Sequence, residues 1–198
     1  MNFLAHIYLS GNNDDVAIGN FISDSVRGIK YKKFPVEIQK GILLHREIDT
    51  FTDAHPFFRQ STKRLHKKYS HYSGVIVDIY YDHFLAKNWT EYCEIPLENY
   101  TLHFYKILKK KSDILPEKVQ RLMPYMISGN WLLSYASIEG IKKVLEGMSK
   151  RTKYESKMDL AVHDLMEYYT EFETEFTLFF DELIKFSNGK LEEINNKL

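Results

Sequence analysis

Ser73-Gly-Val-Ile-Val-Asp-Ile-Tyr-Tyr-Asp-His-Phe-Leu-Ala-Lys-Asn-Trp89 is the stretch on which the fold class turns. Its first half, Val75-Ile-Val-Asp-Ile-Tyr-Tyr81, is β-branched and aromatic enough to pass for a strand. The apolar run, however, continues through Phe84-Leu-Ala86 without a break, which favours a helix. We therefore read a helix from Ser73 to Trp89. No other run of strands appears.

Working outward, Pro56 opens a helix reaching about Tyr69. Pro35 sits where a first helical turn tolerates its missing N–H, and opens another to about Phe51. Upstream, Asp14 and Asp15 are expected to cap a helix through Val16 to Val26, which Gly28 would end. Lys30 to Phe34 form a basic loop. Pro96 to Lys111, Pro116 to about Ser128, Ile138 to Met148 and Tyr154 to Phe186 supply the remaining helices. The last is long for a globular protein and is expected to kink or break, and the polar tail from Asn188 to Leu198 is expected to fray. No repeat and no long polar linker divides the chain. The expectation is a single all-α domain over residues 1–198.

Bulk composition narrows the function classes. In 198 residues, Lys+Arg 27 balance Asp+Glu 27, so no global field favours nucleic acid or a membrane surface. Cys93 is the only cysteine, which excludes an internal disulfide and fits a reducing cytoplasm. Met1-Asn-Phe-Leu-Ala-His lacks the basic region and long apolar core of a signal peptide. No run of about eighteen apolar residues occurs, so no transmembrane helix is expected. The aromatic content, with Tyr 14 and Phe 13, reads as a helical core packed with large rings.

Chemistry concentrates before residue 84, where six of the eight histidines lie. His45, Asp49 and Asp53 recur every fourth residue, a step of about 400° that stacks them on one helical face. Imidazole and carboxylate are ligand types for divalent metals. A lone His45–Asp49 pair would do no more than steady its helix by a few tenths of a kcal/mol; Asp24 and His55 nearby in sequence move the reading toward function. Asn20 and Asp24 are spaced one turn apart, with Arg27 close by, while Gly19 reads as a close-packing position rather than a phosphate loop. Asp78 and Asp82 form a like-charge pair at i,i+4, unfavourable unless a cation relieves it. Asp82 and His83 are adjacent, so they point about 100° apart, and one can reach a metal while the other orients a ligand or moves a proton. His6 stands in an apolar segment, where the ordinary role is a satisfied core residue. These groups together suggest a metal-dependent hydrolase.

Four basic clusters punctuate the neutral chain: Arg27, Lys30, Lys32 and Lys33; Lys63, Arg64, Lys67 and Lys68; Lys109 to Lys111; and Lys150, Arg151 and Lys153. The first two border the acid–histidine motifs and suit an anionic substrate or acidic partner protein.

The blocks Met1-Asn-Phe-Leu-Ala-His-Ile-Tyr-Leu-Ser10, Gly19-Asn-Phe-Ile-Ser-Asp-Ser-Val-Arg-Gly28, Gly41-Ile-Leu-Leu-His-Arg-Glu-Ile-Asp-Thr-Phe-Thr-Asp-Ala-His-Pro56 and Asp78-Ile-Tyr-Tyr-Asp-His-Phe-Leu-Ala-Lys-Asn-Trp89 closely resemble the acyl carrier protein phosphodiesterases. Trp131-Leu-Leu-Ser-Tyr135 and Gly147-Met-Ser-Lys-Arg151 are similar to that family's later blocks. The resemblance implies a helical, divergent relative of the HD-domain phosphohydrolases that uses a divalent cation, typically manganese. It implies hydrolysis of the phosphodiester joining 4′-phosphopantetheine to a serine of holo-acyl carrier protein, a strongly acidic partner. The chain departs from the strict HD pattern in carrying Asp82-His83 where that superfamily has adjacent His-Asp.

On this basis the expected metal ligands are Asp24, His45, Asp49 and Asp82, with Asp53 and Asp78 as further acids nearby. His83 or His55 is the expected proton-transfer group, and Arg46 or Arg27 the expected phosphate holder. Two alternatives stand beside this expectation: a metal phosphohydrolase acting on a small nucleotide-like substrate, and a non-catalytic helical binding protein. Oligomeric state is not legible.

Overall fold

A computed structural model describes residues 1–198, and the deciding stretch is helical from Ser73 to Lys87. The helices are α1 (Phe3–Tyr8), α2 (Asp14–Ile22), α3 (Val36–Ala54), α4 (Pro56–Tyr69), α5 (Ser73–Lys87), α6 (Trp89–Tyr92), α7 (Leu97–Lys110), α8 (Glu117–Ser128), α9 (Trp131–Ser134), α10 (Ile138–Ser149), α11 (Ala161–Glu167) and α12 (Tyr169–Asn195). There is no strand. In α5 the residues Ile76, Val77, Ile79, Tyr80, Tyr81, Phe84 and Leu85 are all buried, so this helix is apolar nearly all round and occupies the core.

Helices α2 and α3 make the most extensive pairing in the molecule. They cross through two glycines, Gly19 on α2 and Gly41 on α3, whose Cα atoms face each other. A Cβ on Gly41 would stand 2.0 Å from the carbonyl oxygen of Val16, and one on Gly19 would stand 2.1 Å from that of Ile38. Only glycine permits this approach. Ile38, Ile42, Leu44 and Ile48 then pack α3 into the core, and α12 runs along α3, α4 and α5 on the other side. A buried cluster ties α4 to α12: Glu175 receives both arms of the Arg64 guanidinium, at 2.6 and 2.7 Å, and also the Ser61 hydroxyl. Bidentate pairing of this kind keeps a buried carboxylate tolerable.

Several boundaries differ from expectation for local reasons. The cap of α2 is Asn13, whose side chain accepts from the N–H groups of Asp15 and Val16, in place of Asp14 and Asp15. The helix stops at Ile22, and Ser23–Ser25 tighten into a 3-10 turn, which lifts Asp24 off the α-helical path. The basic loop is itself a 3-10 segment, Gly28–Lys33. The expected single helix from Tyr154 is irregular as far as Lys157, which takes a left-handed φ of 56°. A 3-10 turn at Met158–Leu160 follows, and then α11 and α12. The tail does not fray at Asn188: α12 continues to Asn195 because Ile194 is buried and Leu191 packs on the core.

Candidate metal centre

The glycine crossing brings Asn20 of α2 against His45 of α3, and Asn20 organises two histidines at once. The His6 Nδ1–H of α1 donates to Asn20 Oδ1 at 2.8 Å, and the His45 Nδ1–H donates to the Asn20 backbone carbonyl at 2.8 Å. The Asn20 amide cannot turn over, because its Nδ2 donates to Ser10 Oγ at 3.0 Å and Ser10 donates to the His6 carbonyl at 2.8 Å. An Nδ1–H in each ring satisfies these acceptors and leaves the Nε2 lone pairs on the opposite side.

Those lone pairs converge. The rings stack with centroids 3.9 Å apart, His6 Nε2 lies 3.3 Å from Asp49 Oδ1, and His45 Nε2 lies 3.1 Å from Asp49 Oδ2 and 3.3 Å from Asp24 Oδ1. His6 Nε2 also faces the Met1 carbonyl at 3.1 Å. Ligand atoms of His6, His45 and Asp49 all fall within 4.8 Å of one another. His45 Nε2 is buried and has no hydrogen bond of good geometry, although two carboxylates face it. A lone pair ringed by anionic acceptors needs either a proton or a cation. The residues fit a divalent metal in donor type, in second-shell support through Asn20, and in this orphaned nitrogen.

Electrostatics in the metal-free protein follow from the same geometry. Burial opposes charge on His45, but the facing carboxylates of Asp24 and Asp49 outweigh it and lift its pKa to about 9. His6 is pushed down to about 4, first by burial and then by the charged His45 stacked on it. The pair thus carries one positive charge, on the ring with two carboxylate neighbours. Burial works against ionisation of Asp49 too, yet the imidazoles of His45 and His6 beside it hold it well below the usual carboxylate range. Asp24 is lowered as well, chiefly by the adjacent His45 imidazole. The imidazoles are buried, whereas the side chains of Asp49 and Asp24 are 43 % and 70 % exposed. The cluster therefore opens to solvent through its carboxylates.

Of the expected site residues, Asp24, His45 and Asp49 come together here, and His6 joins them. Asp82 does not. Its Oδ2 accepts the Leu4 N–H at 2.8 Å and its Oδ1 the Ala5 N–H at 3.2 Å, so both oxygens cap the start of α1. Asp78 lies 2.9 Å from the Met1 amino group. That ammonium and the amides of α1 relieve the like-charge repulsion that we had assigned to a metal. Asp53 is exposed near the end of α3. His83 packs elsewhere, with Nδ1 2.7 Å from the Tyr135 carbonyl and Nε2 2.8 Å from the Tyr169 hydroxyl. His55 pairs with Glu182 at 3.2 Å among Phe51, Phe57 and Phe179. Arg46 spends its guanidinium on the carbonyls of Val26 (3.1 Å) and Gly28 (2.8 Å), whereas Arg27 is exposed and unbonded. The core role expected for His6 gives way to a place in this cluster, which sequence spacing does not show because its partner Asn20 is fourteen residues away on another helix.

The cluster thus sits in an all-helical chain and gathers ligand-type atoms of two histidines and an aspartate at a point open to solvent. A sequence model of the family described as acyl carrier protein phosphodiesterase matches residues 1–183, so the chain belongs to that family. It is 30 % identical over 191 residues to the acyl carrier protein phosphodiesterase of Photorhabdus laumondii, covering 96 % of each chain. Similar relatives of the same description occur in Yersinia pestis and Escherichia coli, each 30 % identical and covering 96 % of this chain and 99 % of the relative. No solved structure matches.

Proposed function

We propose that this protein is a metal-dependent phosphodiesterase that hydrolyses the bond between 4′-phosphopantetheine and the serine of holo-acyl carrier protein, yielding the apo-protein. The observation that carries the metal part of this reading is the convergence of His6 Nε2, His45 Nε2 and the Asp49 carboxylate, with the His45 nitrogen orphaned. Family membership supports the substrate. Bound there, a divalent cation, manganese in our reading, supplies neutralisation of the phosphodiester anion and acidifies water.

The chain's own residues do the rest. Asn20 holds both imidazoles with Nε2 forward, and burial of the rings keeps them from turning. Asp24 Oδ1, beside His45 Nε2 and largely exposed, completes the ligand set or accepts a proton from attacking water. Arg27, three residues on from Asp24 and unbonded, is free to hold the phosphate; Arg46 is not. His83 and His55 are engaged elsewhere in the fold, which argues against proton transfer by either. A cytoplasmic setting is supported by the lone Cys93 and by the absence of any helix long and apolar enough to cross a membrane.

Intact-mass measurement of holo-acyl carrier protein incubated with the protein and manganese tests the reading. We expect a loss equal to the phosphopantetheine group. An unchanged mass, together with turnover of a small aryl phosphodiester, would replace it with the small-substrate alternative.

A further inference from the structure

We propose that the 3-10 segment Gly28–Lys33, led by Ile29, is the docking surface for the acidic face of the carrier protein whose prosthetic group is cleaved. This rests on the phosphodiesterase reading above. From Ser25 to Val36 the chain reads Ser-Val-Arg-Gly-Ile-Lys-Tyr-Lys-Lys-Phe-Pro-Val, with four cations and no acid. Arg27, Lys30, Lys32 and Lys33 make no ion pair, in a protein whose formal charge is zero. Two of the other basic clusters are partly consumed, Arg64 pairing with Glu175, Lys68 with Asp164 and Lys111 with Asp15; in the fourth, Arg151 donates to the Gly147 carbonyl and lies over the Trp131 ring.

The segment also presents an apolar centre. None of its residues is buried, and Ile29 is 77 % exposed, the most exposed large apolar side chain of the molecule. An exposed isoleucine followed in sequence by three exposed, unpaired lysines matches a partner with acids around a small apolar patch. The surface is held in shape: Arg46 donates to the carbonyls of Val26 and Gly28 and lies over the Tyr31 ring at 5.4 Å. Gln39 Nε2 donates to the Phe34 carbonyl at 2.8 Å, and Tyr31 and Phe34 pack against the core. Preorganisation of this kind lowers the ordering cost of association. Position completes the case. Asp24 of the candidate centre lies four residues before Gly28, and the residue holding the segment, Arg46, follows His45 in sequence. A carrier seated on Ile29 and the lysines therefore delivers its modified serine beside the centre.

The test compares wild type with a triple variant, Lys30→Glu with Lys32→Glu and Lys33→Glu, and with Ile29→Ser. Readouts are kcat/KM on holo-acyl carrier protein at low salt, and equilibrium binding of the apo-carrier, which does not require turnover. We expect the triple variant to lose about 10- to 100-fold in both, mainly through KM, with the gap narrowing as salt rises. Ile29→Ser should lose about tenfold without that salt dependence. Mn2+ affinity and melting temperature should stay at wild-type values in both. A control, Lys63→Glu with Lys67→Glu on α4, should change kcat/KM by less than about threefold. Values within about twofold of wild type for the triple variant overturn the docking surface. If wild type cleaves no holo-carrier, the phosphodiesterase reading fails, and the docking surface is judged by apo-carrier binding: binding lost in the triple variant supports it, and no binding by wild type overturns it.

Discussion

Gly41→Ala is the substitution through which fold and site are most tightly linked. The new Cβ would lie 2.0 Å from the Val16 carbonyl oxygen, 2.7 Å from the Asn20 nitrogen and 2.9 Å from Gly19 Cα. A carbon meets an oxygen at about 3.3 Å, so α2 and α3 must part by roughly 1.3 Å. The bond from His45 Nδ1 to the Asn20 carbonyl, now 2.8 Å, would then stretch to about 4 Å and break. Overpacking costs about 1–3 kcal/mol, and the lost buried hydrogen bond about 1 kcal/mol more. Taking about 3 kcal/mol, a chain of this size should melt roughly 6–12 °C lower. A displacement of about 1 Å at His45 should also reduce turnover by about 100-fold. Thermal unfolding followed by circular dichroism, with kcat/KM on the same samples, measures both. Gly189→Ala is the control: nothing lies within 4 Å of its added Cβ, so it should be neutral or stabilise α12 by up to about 1 kcal/mol. A Gly41→Ala protein melting within about 2 °C of wild type at full turnover would refute the role given to the glycine crossing.

Three further outcomes follow from the same geometry. Because His45 keeps its proton up to about 9 in the metal-free protein, Mn2+ binding at about pH 7 should release about one proton and tighten about tenfold per pH unit up to about pH 9; calorimetry in buffers of different ionisation enthalpy reads this, and zero proton release would contradict it. Asp82→Asn should keep Mn2+ binding while orphaning one α1 amide, at a cost of about 1–2 kcal/mol, whereas loss of Mn2+ binding would return Asp82 to the ligand set. Burial lifts Asp82 from the ordinary 3.8 to about 7, so the folded state holds this proton more tightly than the unfolded chain. The stability it contributes is full below 3.8 and is lost as pH rises through about 7, a slope the Asn variant should lack in urea titrations. Arg64→Met should leave Glu175 buried and unpaired and cost about 3–5 kcal/mol, with Mn2+ affinity unchanged; a variant as stable as wild type would show that the pair is not what joins α4 to α12.

Much of the helical framework was legible because prolines mark it locally. Pro35, Pro56, Pro96 and Pro116 each stand at or just before a helix start, and α4 runs from Pro56 to Tyr69 as read. The break-up after Tyr154 was not legible, because no proline or glycine marks the left-handed Lys157 or the junction between α11 and α12 at Tyr168. Helicity of the tail depends on Ile194 reaching the core, which no local pattern reveals. In the site, His45 and Asp49 were visible as neighbours one turn apart on a single helix. Asn20 and His6 were not, since their contacts join three helices across fourteen and twenty-five residues. Asp78 and Asp82 were read toward a metal because their repulsion needed an answer. The answer is the start of the chain: the Met1 amino group and the amides of α1, brought back across more than seventy residues.

The central claim is that His6, His45 and Asp49 converge to hold a divalent cation. Anomalous diffraction from crystals of the protein grown with Mn2+ tests it most directly. The account predicts the strongest anomalous peak in contact with Nε2 of His6, Nε2 of His45 and the Asp49 carboxylate. A strongest peak beside Asp82 and His83, or no peak at saturating Mn2+, would contradict it.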